Sequence, residues 1–364
     1  MAWRTTALTK RLGLAYPIVQ GPFGGGLSSP ALAAAVSNLG GLGSYGAQGH
    51  TPERIREVAA AIRGLTERPF AMNLWVSTED AGARAVTPAQ WDAALAPLLP
   101  LYRELGVEPP AWAPLPPPPF ERQAEALIDA RVPAFSFIFG VPDAAILADC
   151  RAHGIVTIGT ATTVAEAVAL DAAGVEVVVA SGFEAGGHRA SFLAPAESSL
   201  TGSFALVPQV VDAVRAPVVA AGGIADGRGV AAALALGAAG VQVGTAFLAC
   251  EESNAAPGHK QALLGAQAGD TLLTRAFSGR LARGLRNRLA EHLAGAGHLP
   301  YPVQGDLLSP LRREALARNR TDLVSLWAGQ AAPLARHRRA RDVFEALVSG
   351  ADALLGSGTT YVER

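Results

Sequence analysis

Cysteine is scarce in this sequence. The 364 residues include two cysteines, Cys150 and Cys250, and neither stands in a CxxC pair. This spacing suggests neither a disulfide framework nor a cluster of thiolate metal ligands, and it suits a reducing compartment. We therefore expect a cytoplasmic protein with no metal site.

Net charge is also nearly absent. Lys and Arg number 30 against 31 for Asp and Glu, which leaves a formal charge of -1 at pH 7. A chain so balanced has no electrostatic footprint for nucleic acid or for an anionic membrane surface. We expect a small molecule, not a polyanion, as the partner.

Long uninterrupted apolar runs are missing as well. The N-terminal residues 1–14 have basic side chains but no apolar core before a small-residue cleavage site, so we expect no signal peptide. The most apolar window, 230–248, is interrupted by Gly237, Gly240, Gln242 and Gly244. It predicts a helix, a turn and a buried strand, and therefore a soluble protein, not a membrane span.

What the sequence does contain is a repeated βα pattern. Half of the residues are apolar and 17% are charged, so the chain can bury a large core. Short apolar runs bounded by Gly or Pro alternate with alanine-rich stretches, and continuous apolar character is typical of parallel strands covered by helices. The eight candidate strands are 17–21, 41–46, 70–76, 134–140, 155–160, 175–182, 216–223 and 241–245.

Eight such units in about 250 residues favour an α/β fold of the closed (β/α)8 barrel type over an open doubly wound sheet. We expect the barrel domain to span residues 1–250. A small helical cap, or second domain, would follow over 251–320, and a C-terminal segment over 321–364 would return to the barrel.

Two regions interrupt the repeated βα pattern. Residues 106–120 contain seven prolines and predict a polyproline-like excursion after the third strand. The arginine-rich stretch 277–293 predicts a solvated helix face within the cap.

Three glycine-bearing loops should meet at one end of the barrel. They are 182–188 (GFEAGGH), 220–227 (AAGGIADG) and 244–247 (GTAF), and each follows a predicted strand. In this fold the active site lies at the C-terminal ends of the strands, and glycines let backbone amides approach a phosphate. No GxGxxG with a later acidic residue marks a dinucleotide site, so a flat mononucleotide fits best. His188, behind a glycine pair, is either a proton-handling residue or a surface histidine.

Several segments together resemble the nitronate monooxygenase family, once named 2-nitropropane dioxygenases. The resemblance runs from about residue 15 to 330 and rests on PIVQGPFGGG, FAMNLWV, GFEAGGHRASF, APVVAAGGI, GVQVGT and TRAFSGRLARGLRN. It implies FMN in a (β/α)8 barrel beneath a small second domain. The implied reaction is oxidation of alkyl nitronates, and also of nitroalkanes if a base removes their α-proton, to a carbonyl compound and nitrite with dioxygen.

The resemblance also implies site residues. His188 would be the catalytic histidine, Asn73 would bond the flavin ring, and Gln330 would return to it. Pro22, Phe23 and Gly24 would lie alongside the flavin ring. Phosphate would be held by Gly187, Gly222, Gly223, Gly244 and Thr245, with Gln242 supporting that end; Thr160, Ser181, Gly182, Gly186 and Ala221 complete the implied cofactor-binding set.

Other interpretations stay open at this point. Ser181 stands where the family usually carries glutamine, and Phe23 replaces a common methionine. The same blocks occur in FMN-dependent enoyl-acyl-carrier-protein reductases and in NAD(P)H:quinone reductases, and a non-catalytic FMN-binding protein or a homodimer is compatible with them. Trp75, Tyr301 and Trp327 fit either core or pocket wall. Glu184 reads as a loop anchor, and the six other histidines read as structural or exposed.

Overall fold

The computed structural model describes residues 2–112 and 119–356 of the chain. Most prolines of the predicted polyproline-like excursion therefore lie outside the described residues, since positions 113–118 are not among them. The same holds for residues 357–364 of the predicted C-terminal segment.

Eight parallel strands form one sheet in the order β1-β9-β8-β6-β5-β4-β3-β2. A bridge between Val19 and Leu42 joins the two edge strands, and the Leu42 N–H donates to the Ile18 carbonyl oxygen at 2.9 Å. The sheet therefore closes as a (β/α)8 barrel, and each of the eight predicted strands is confirmed. The strands of the described chain are β1 Ile18–Gln20, β2 Gly43–Gly46, β3 Phe70–Trp75, β4 Ala134–Ile138, β5 Val156–Ala161, β6 Val177–Ser181, β7 Gly187–His188, β8 Val218–Ala221, β9 Gly240–Val243, β10 Thr271–Thr274 and β11 Ala282–Leu285.

Helices flank the barrel, and several of them begin at a residue whose side chain caps the first turn. The Thr51 side chain accepts a hydrogen bond from the Arg54 N–H and Pro52 takes the first turn, as the start signal predicts. The α-helices of the described chain are α1 Ala7–Leu12, α2 Pro30–Asn38, α3 Pro52–Arg63, α4 Pro88–Leu95, α5 Leu99–Leu105, α6 Phe120–Asp129, α7 Ala144–Ala152, α8 Val164–Ala172, α9 Ser203–Ala213, α10 Gly227–Ala235, α11 Thr245–Leu248, α12 Pro257–Leu264, α13 Arg288–His292, α14 Val303–Ala317 and α15 Ala340–Leu355.

Both faces of the barrel strands are buried, which explains their continuous apolar sequences. Alternate residues such as Val177 and Val179 pack inside the barrel, where Leu8 and Leu12 of α1 join the same cluster. The intervening residues, such as Val178, pack against the surrounding helices. A strand covered on both sides has no polar face to alternate with.

A second hydrophobic cluster lies outside the barrel. It unites α4 and α5, from the insertion after β3, with helices α12 to α14. The Tyr102 hydroxyl donates to the Leu307 carbonyl oxygen at 2.5 Å, and Glu104 pairs with Arg288 at 2.6 Å and with Arg320 at 2.7 Å. The insertion therefore packs with the cap region, while the exact division of the chain into domains stays a prediction.

The prediction of a solvated helix over 277–293 was wrong for most of that stretch. Residues 282–285 form β11, a buried strand that pairs with β10 and β7, and helix α13 begins only at Arg288. Buried arginines are tolerated here because each has fixed acceptors: Arg280 pairs with Asp80 at 2.6 Å, and Arg283 donates to the Phe183 carbonyl oxygen at 3.0 Å.

The apolar window 230–248 is divided among α10, β9 and α11. Across the described residues we find no helix with the length and hydropathy needed to span a membrane.

Helix α2 lies so close to β2 that Gly43 admits no side chain. A Cβ there would clash with the Ala33 carbonyl oxygen, far inside the van der Waals contact distance of the two atoms. We therefore expect Gly43→Ala to lower the free energy of unfolding by about 3 kcal/mol or more, measured by urea titration. The control is Gly64→Ala, where φ is -65° and the nearest atom to the new Cβ is 3.5 Å away. Equal stability of the two variants would contradict this close packing.

Candidate functional site

A cavity of about 630 Å³ opens at the C-terminal ends of the barrel strands. Its inner wall comes from the loop after β1 and from the glycine loops after β6, β8 and β9. Its outer wall comes from the segments 301–306, 312–321 and 324–331 of the region that packs in the second hydrophobic cluster. The volume falls within the range of about 300–1,000 Å³ that is usual for small-molecule and cofactor sites.

His188 is held by strand pairing and not by a free loop. Strand β7 runs antiparallel to β11, with His188 opposite Ala282 and Gly187 opposite Arg283. The Nε2 atom of His188 lies 2.7 Å from the buried Ser278 Oγ, at hydrogen-bonding distance. The ring is thus fixed at the cavity wall, and the alternative of an unattached surface histidine is wrong.

Four aromatic side chains surround the His188 ring. Ring centroids lie 5.0 Å away for Trp75 and for Trp327, 6.1 Å for Tyr301 and 6.3 Å for Phe139. Trp75, Tyr301 and Trp327 all line the cavity. Of the two roles that the sequence left open, core or pocket wall, the structure shows the pocket wall.

The environment keeps the His188 ring neutral. Burial among these aromatic groups disfavours the imidazolium, the nearby Arg280 cation disfavours it further, and the pKa of His188 falls to about 3. At neutral pH the ring therefore carries no charge and keeps one nitrogen lone pair available.

Glycines of the loops after β6, β8 and β9 form another part of the cavity wall. Gly187, Gly222 and Gly223 have φ of 77°, 103° and 74°, a backbone region that side chains disfavour. Among the described residues, the N–H groups of Gly223 and Gly244 donate to no protein acceptor, yet both glycines line the cavity. Free backbone donors on glycine loops are the chemistry of a phosphate cradle.

The comparison with known proteins agrees with this geometry. The model of the nitronate monooxygenase family matches residues 5–350. The chain belongs to this family. A probable nitronate monooxygenase of Staphylococcus aureus is 39% identical over 350 residues, which cover 95% of this chain and 97% of that protein.

Solved structures of related proteins have the same architecture. A nitroalkane oxidase from Streptomyces ansochromogenes superposes with a TM-score of 0.88 at 38% identity, over 96% of this chain and 98% of that one. FabK from Thermotoga maritima gives a TM-score of 0.75 at 29% identity, over 97% of each chain. Our chain is thus an oxidoreductase of the nitronate monooxygenase family.

Most residues that the family resemblance implied come together at this cavity. Gly182 and Gln330 are the exceptions: Gly182 is buried behind the loop, and Gln330 is exposed, with its N–H donating to the Glu184 carbonyl oxygen at 2.9 Å. The implied residues that line the cavity are Pro22, Phe23, Gly24, Asn73, Thr160, Ser181, Gly186, Gly187, His188, Ala221, Gly222, Gly223, Gln242, Gly244 and Thr245. Their contacts with a cofactor stay a prediction.

The loop between β6 and β7 is anchored as expected for Glu184. The Glu184 carboxylate accepts hydrogen bonds from the Ser203 N–H at 2.9 Å and from the Ser203 hydroxyl at 3.0 Å. Gly186 packs against the returning segment, since a Cβ there would lie 2.5 Å from the Gly329 nitrogen. The Gly329 N–H in turn donates to the Thr245 Oγ1 at 2.9 Å.

Sequence reasoning missed several cavity residues. Gln48 donates through Nε2 to the Tyr301 hydroxyl at 2.8 Å, and Ser278 contacts His188 directly. His259, interpreted as unconnected with the site, is buried, lines the cavity and lies 3.0 Å from the Trp327 carbonyl oxygen. Ser278 lies within TRAFSGRLARGLRN, one of the segments that carry the family resemblance, but no role was assigned to it; Gln48 and His259 lie in none of the quoted segments.

A neutral His188 is directly measurable. We expect the NMR signals of its ring to stay those of neutral imidazole from pH 8 down to about pH 5, because its pKa of about 3 lies below this window. His188→Asn, which removes one set of ring signals, would provide the assignment. Protonation with a midpoint near the ordinary value of about 6.5 would contradict the effect of burial.

Proposed function

We propose that this protein oxidises alkyl nitronates with dioxygen, using FMN, to a carbonyl compound and nitrite. The observation that carries the proposal is the pairing, in one cavity, of a neutral His188 enclosed by aromatic rings with glycine loops at the far end. The names of the relatives, a probable nitronate monooxygenase and a nitroalkane oxidase, support it.

The residues present fit FMN. Gly222, Gly223, Gly244 and Thr245 would hold the phosphate through backbone donors, and the residues Pro22 to Gly24 with Asn73 would hold the flavin ring. Gly24 has little space to spare, since a Cβ there would lie 3.0 Å from Gln48 Oε1 and 3.6 Å from the Trp75 ring. Bound FMN supplies the redox chemistry, accepting electrons from the substrate and passing them to dioxygen.

The chain itself would place and desolvate the substrate. Trp75, Tyr301 and Trp327 exclude water around the His188 ring, and a nitronate anion needs no proton removed before it is oxidised. A neutral imidazole there can hydrogen-bond the nitronate without adding a charge.

With a neutral nitroalkane, His188 would have to take up the α-proton on a ring nitrogen. The low pKa of this histidine makes that transfer unfavourable, so the nitronate is the better substrate of the two.

A second candidate is a reductase that uses NAD(P)H, with an enoyl thioester or a quinone as acceptor. The likeness to FabK favours it, although the nitroalkane oxidase superposes better, at a TM-score of 0.88 against 0.75. Oxygen uptake with a nitronate, compared with NADH oxidation in the presence of crotonyl thioester or a quinone, separates the two. Faster NADH oxidation would favour the reductase, and FMN without either activity would leave a flavin-binding protein.

The phosphate cradle can be tested through FMN retention. We expect the purified protein to be yellow and to release FMN, not FAD, on denaturation, and we expect Gly223→Asp to lose the flavin. The introduced carboxylate would stand against the phosphate, at a position where φ is 74°. Flavin content is measured by absorbance and chromatography of the released cofactor.

Gly269→Asp is the matched control for this variant. Gly269 also has a positive φ, of 87°, and a Cβ there meets nothing within 4 Å. It carries the same backbone strain and the same added charge but lies outside the cavity lining. If both variants keep flavin equally well, the phosphate is bound elsewhere.

The role of His188 can be tested with two substrates. If His188 is the base for the neutral nitroalkane, His188→Asn should reduce turnover of that substrate by roughly 10²–10⁴-fold, the usual span for loss of a general base, and turnover of the pre-formed nitronate far less. The α-proton of the nitronate is already gone. Steady-state oxygen uptake per bound flavin is the measurement.

Damage to the pocket without a proton-transfer role would depress both rates alike. Unchanged rates with flavin still bound would remove His188 from the reaction altogether.

A further inference from the structure

Arg280 is a buried cation that no part of the proposed reaction uses. Its side chain is 7% exposed and pairs through Nε with Asp80 Oδ1 at 2.6 Å. Its two other nitrogens donate to the Ser77 carbonyl oxygen and to the Ser77 Oγ, each at 3.0 Å. All three acceptors lie on the loop after β3, about 200 residues away along the chain, so the guanidinium links that loop to the approach to β11.

The same guanidinium lies against three aromatic rings. Its central carbon is 4.1 Å from the ring centroid of Phe139, 4.5 Å from that of Tyr301 and 5.7 Å from that of Trp75. These distances are within the range of about 6 Å for cation–π attraction. All three rings also contact His188, so Arg280 holds the aromatic wall of the site from its outer side.

Asp80 extends this arrangement to the outer wall of the cavity. Its N–H donates to the Tyr301 carbonyl oxygen at 2.8 Å, and its Oδ2 accepts from the Tyr301 N–H at 3.3 Å. The Tyr301 hydroxyl is held at its other end by Gln48. Through the Arg280–Asp80 pair, Tyr301 is therefore fixed relative to the barrel strands.

We propose that Arg280 is a positioning residue of this active site: its planar fork links the loop after β3 to the approach to β11, and its charge holds the three aromatic rings that surround His188. The inference rests on the proposed function for its effect on turnover, but not for its effect on the histidine. Lysine cannot replace both properties, because it carries the charge without the planar fork.

The electrostatic part depends on which charges face His188. Arg280 is the cation that lowers the pKa of His188, after burial, which is the larger cause. The other titratable or charged groups on the segments packed around the ring include Tyr301, Glu184, Arg189, Arg283, His259, Asp80, Asp306 and Arg312. Asp80 is already paired with Arg280, and burial raises the pKa of Tyr301, so that phenol is neutral at neutral pH.

The test compares Arg280→Met, Arg280→Gln and Arg280→Lys in the FMN-loaded protein. The first readout is the His188 ring titration by NMR between about pH 2 and 8, a range that spans the parent pKa of about 3. We expect the pKa of His188 to rise by on the order of one unit in the Met and Gln variants, which lack the charge, and to stay near the parent value in the Lys variant. The second readout is kcat for a nitronate per bound flavin, which we expect to fall about tenfold or more in all three, with a smaller change in KM.

Arg283→Met is the matched control. Arg283 is also a buried arginine of the same segment, with its guanidinium 5.2 Å from the Phe183 ring, but it does not contribute to the pKa shift of His188. It should lose stability without moving the His188 titration. The Gln variant keeps hydrogen-bonding capacity and serves if the Met variant does not fold.

A His188 titration that is identical in the parent, the neutral Arg280 variants and the control overturns the proposal, as does parental kcat in Arg280→Lys. Because the NMR readout needs no substrate, a failure of nitronate oxidation itself would not be mistaken for a failure of this inference.

Discussion

The antiparallel pairing of β7 with β11 is the interaction on which the candidate site depends. It sets His188 opposite Ala282, and the next N–H, that of Arg189, donates to the Leu281 carbonyl oxygen at 2.9 Å. The pairing brings the glycine pair of the β6–β7 loop against residues 328–329 on one side and Ser278 against the His188 ring on the other. A two-residue strand thereby joins the glycine loop that would face the phosphate of the proposed cofactor to the His188 ring.

Buried arginines make this small sheet possible. Arg189, 2% exposed, donates to the carbonyl oxygens of Gly182, Ser181 and Ser199, at 2.7, 3.0 and 2.9 Å. Arg280 and Arg283 are satisfied in the same way by acceptors on other loops. Of the three, Arg280 also pairs with a carboxylate, that of Asp80, and breaking such a buried pair by removing one partner typically costs about 3–5 kcal/mol. The guanidinium groups act as fixed links between barrel loops and cap.

The difference between what the sequence predicted and what it did not follows from the range of the interactions. The barrel strands were predictable, because a strand buried on both faces must be apolar throughout, and that signal is local. The glycine loops were predictable for the same reason, since each follows its own strand directly. Strands β7, β10 and β11 were not, because Gly187–His188 is too short for a periodic pattern and the sequence Ala282–Leu285 contains an arginine. Burial of this arginine, Arg283, depends on a hydrogen bond to the Phe183 carbonyl oxygen, which lies 100 residues away along the chain.

The contrast between the glycine loops and the aromatic wall suits the proposed function, in which one cavity would bind an anionic cofactor and an anionic substrate. At the glycine loops, backbone N–H groups would donate to the phosphate of the cofactor. No titratable side chain would then need to contact the phosphate. At the aromatic wall, the His188 ring is kept neutral by burial and, to a smaller extent, by the Arg280 cation, which pairs with Asp80 and lies against three aromatic rings. A fully protonated histidine would hold a nitronate anion as a stable ion pair, and that attraction would be lost as the substrate gives up its electrons. In the proposed reaction, a neutral ring would orient the nitronate without favouring its ground state, which is the condition under which binding energy lowers the barrier.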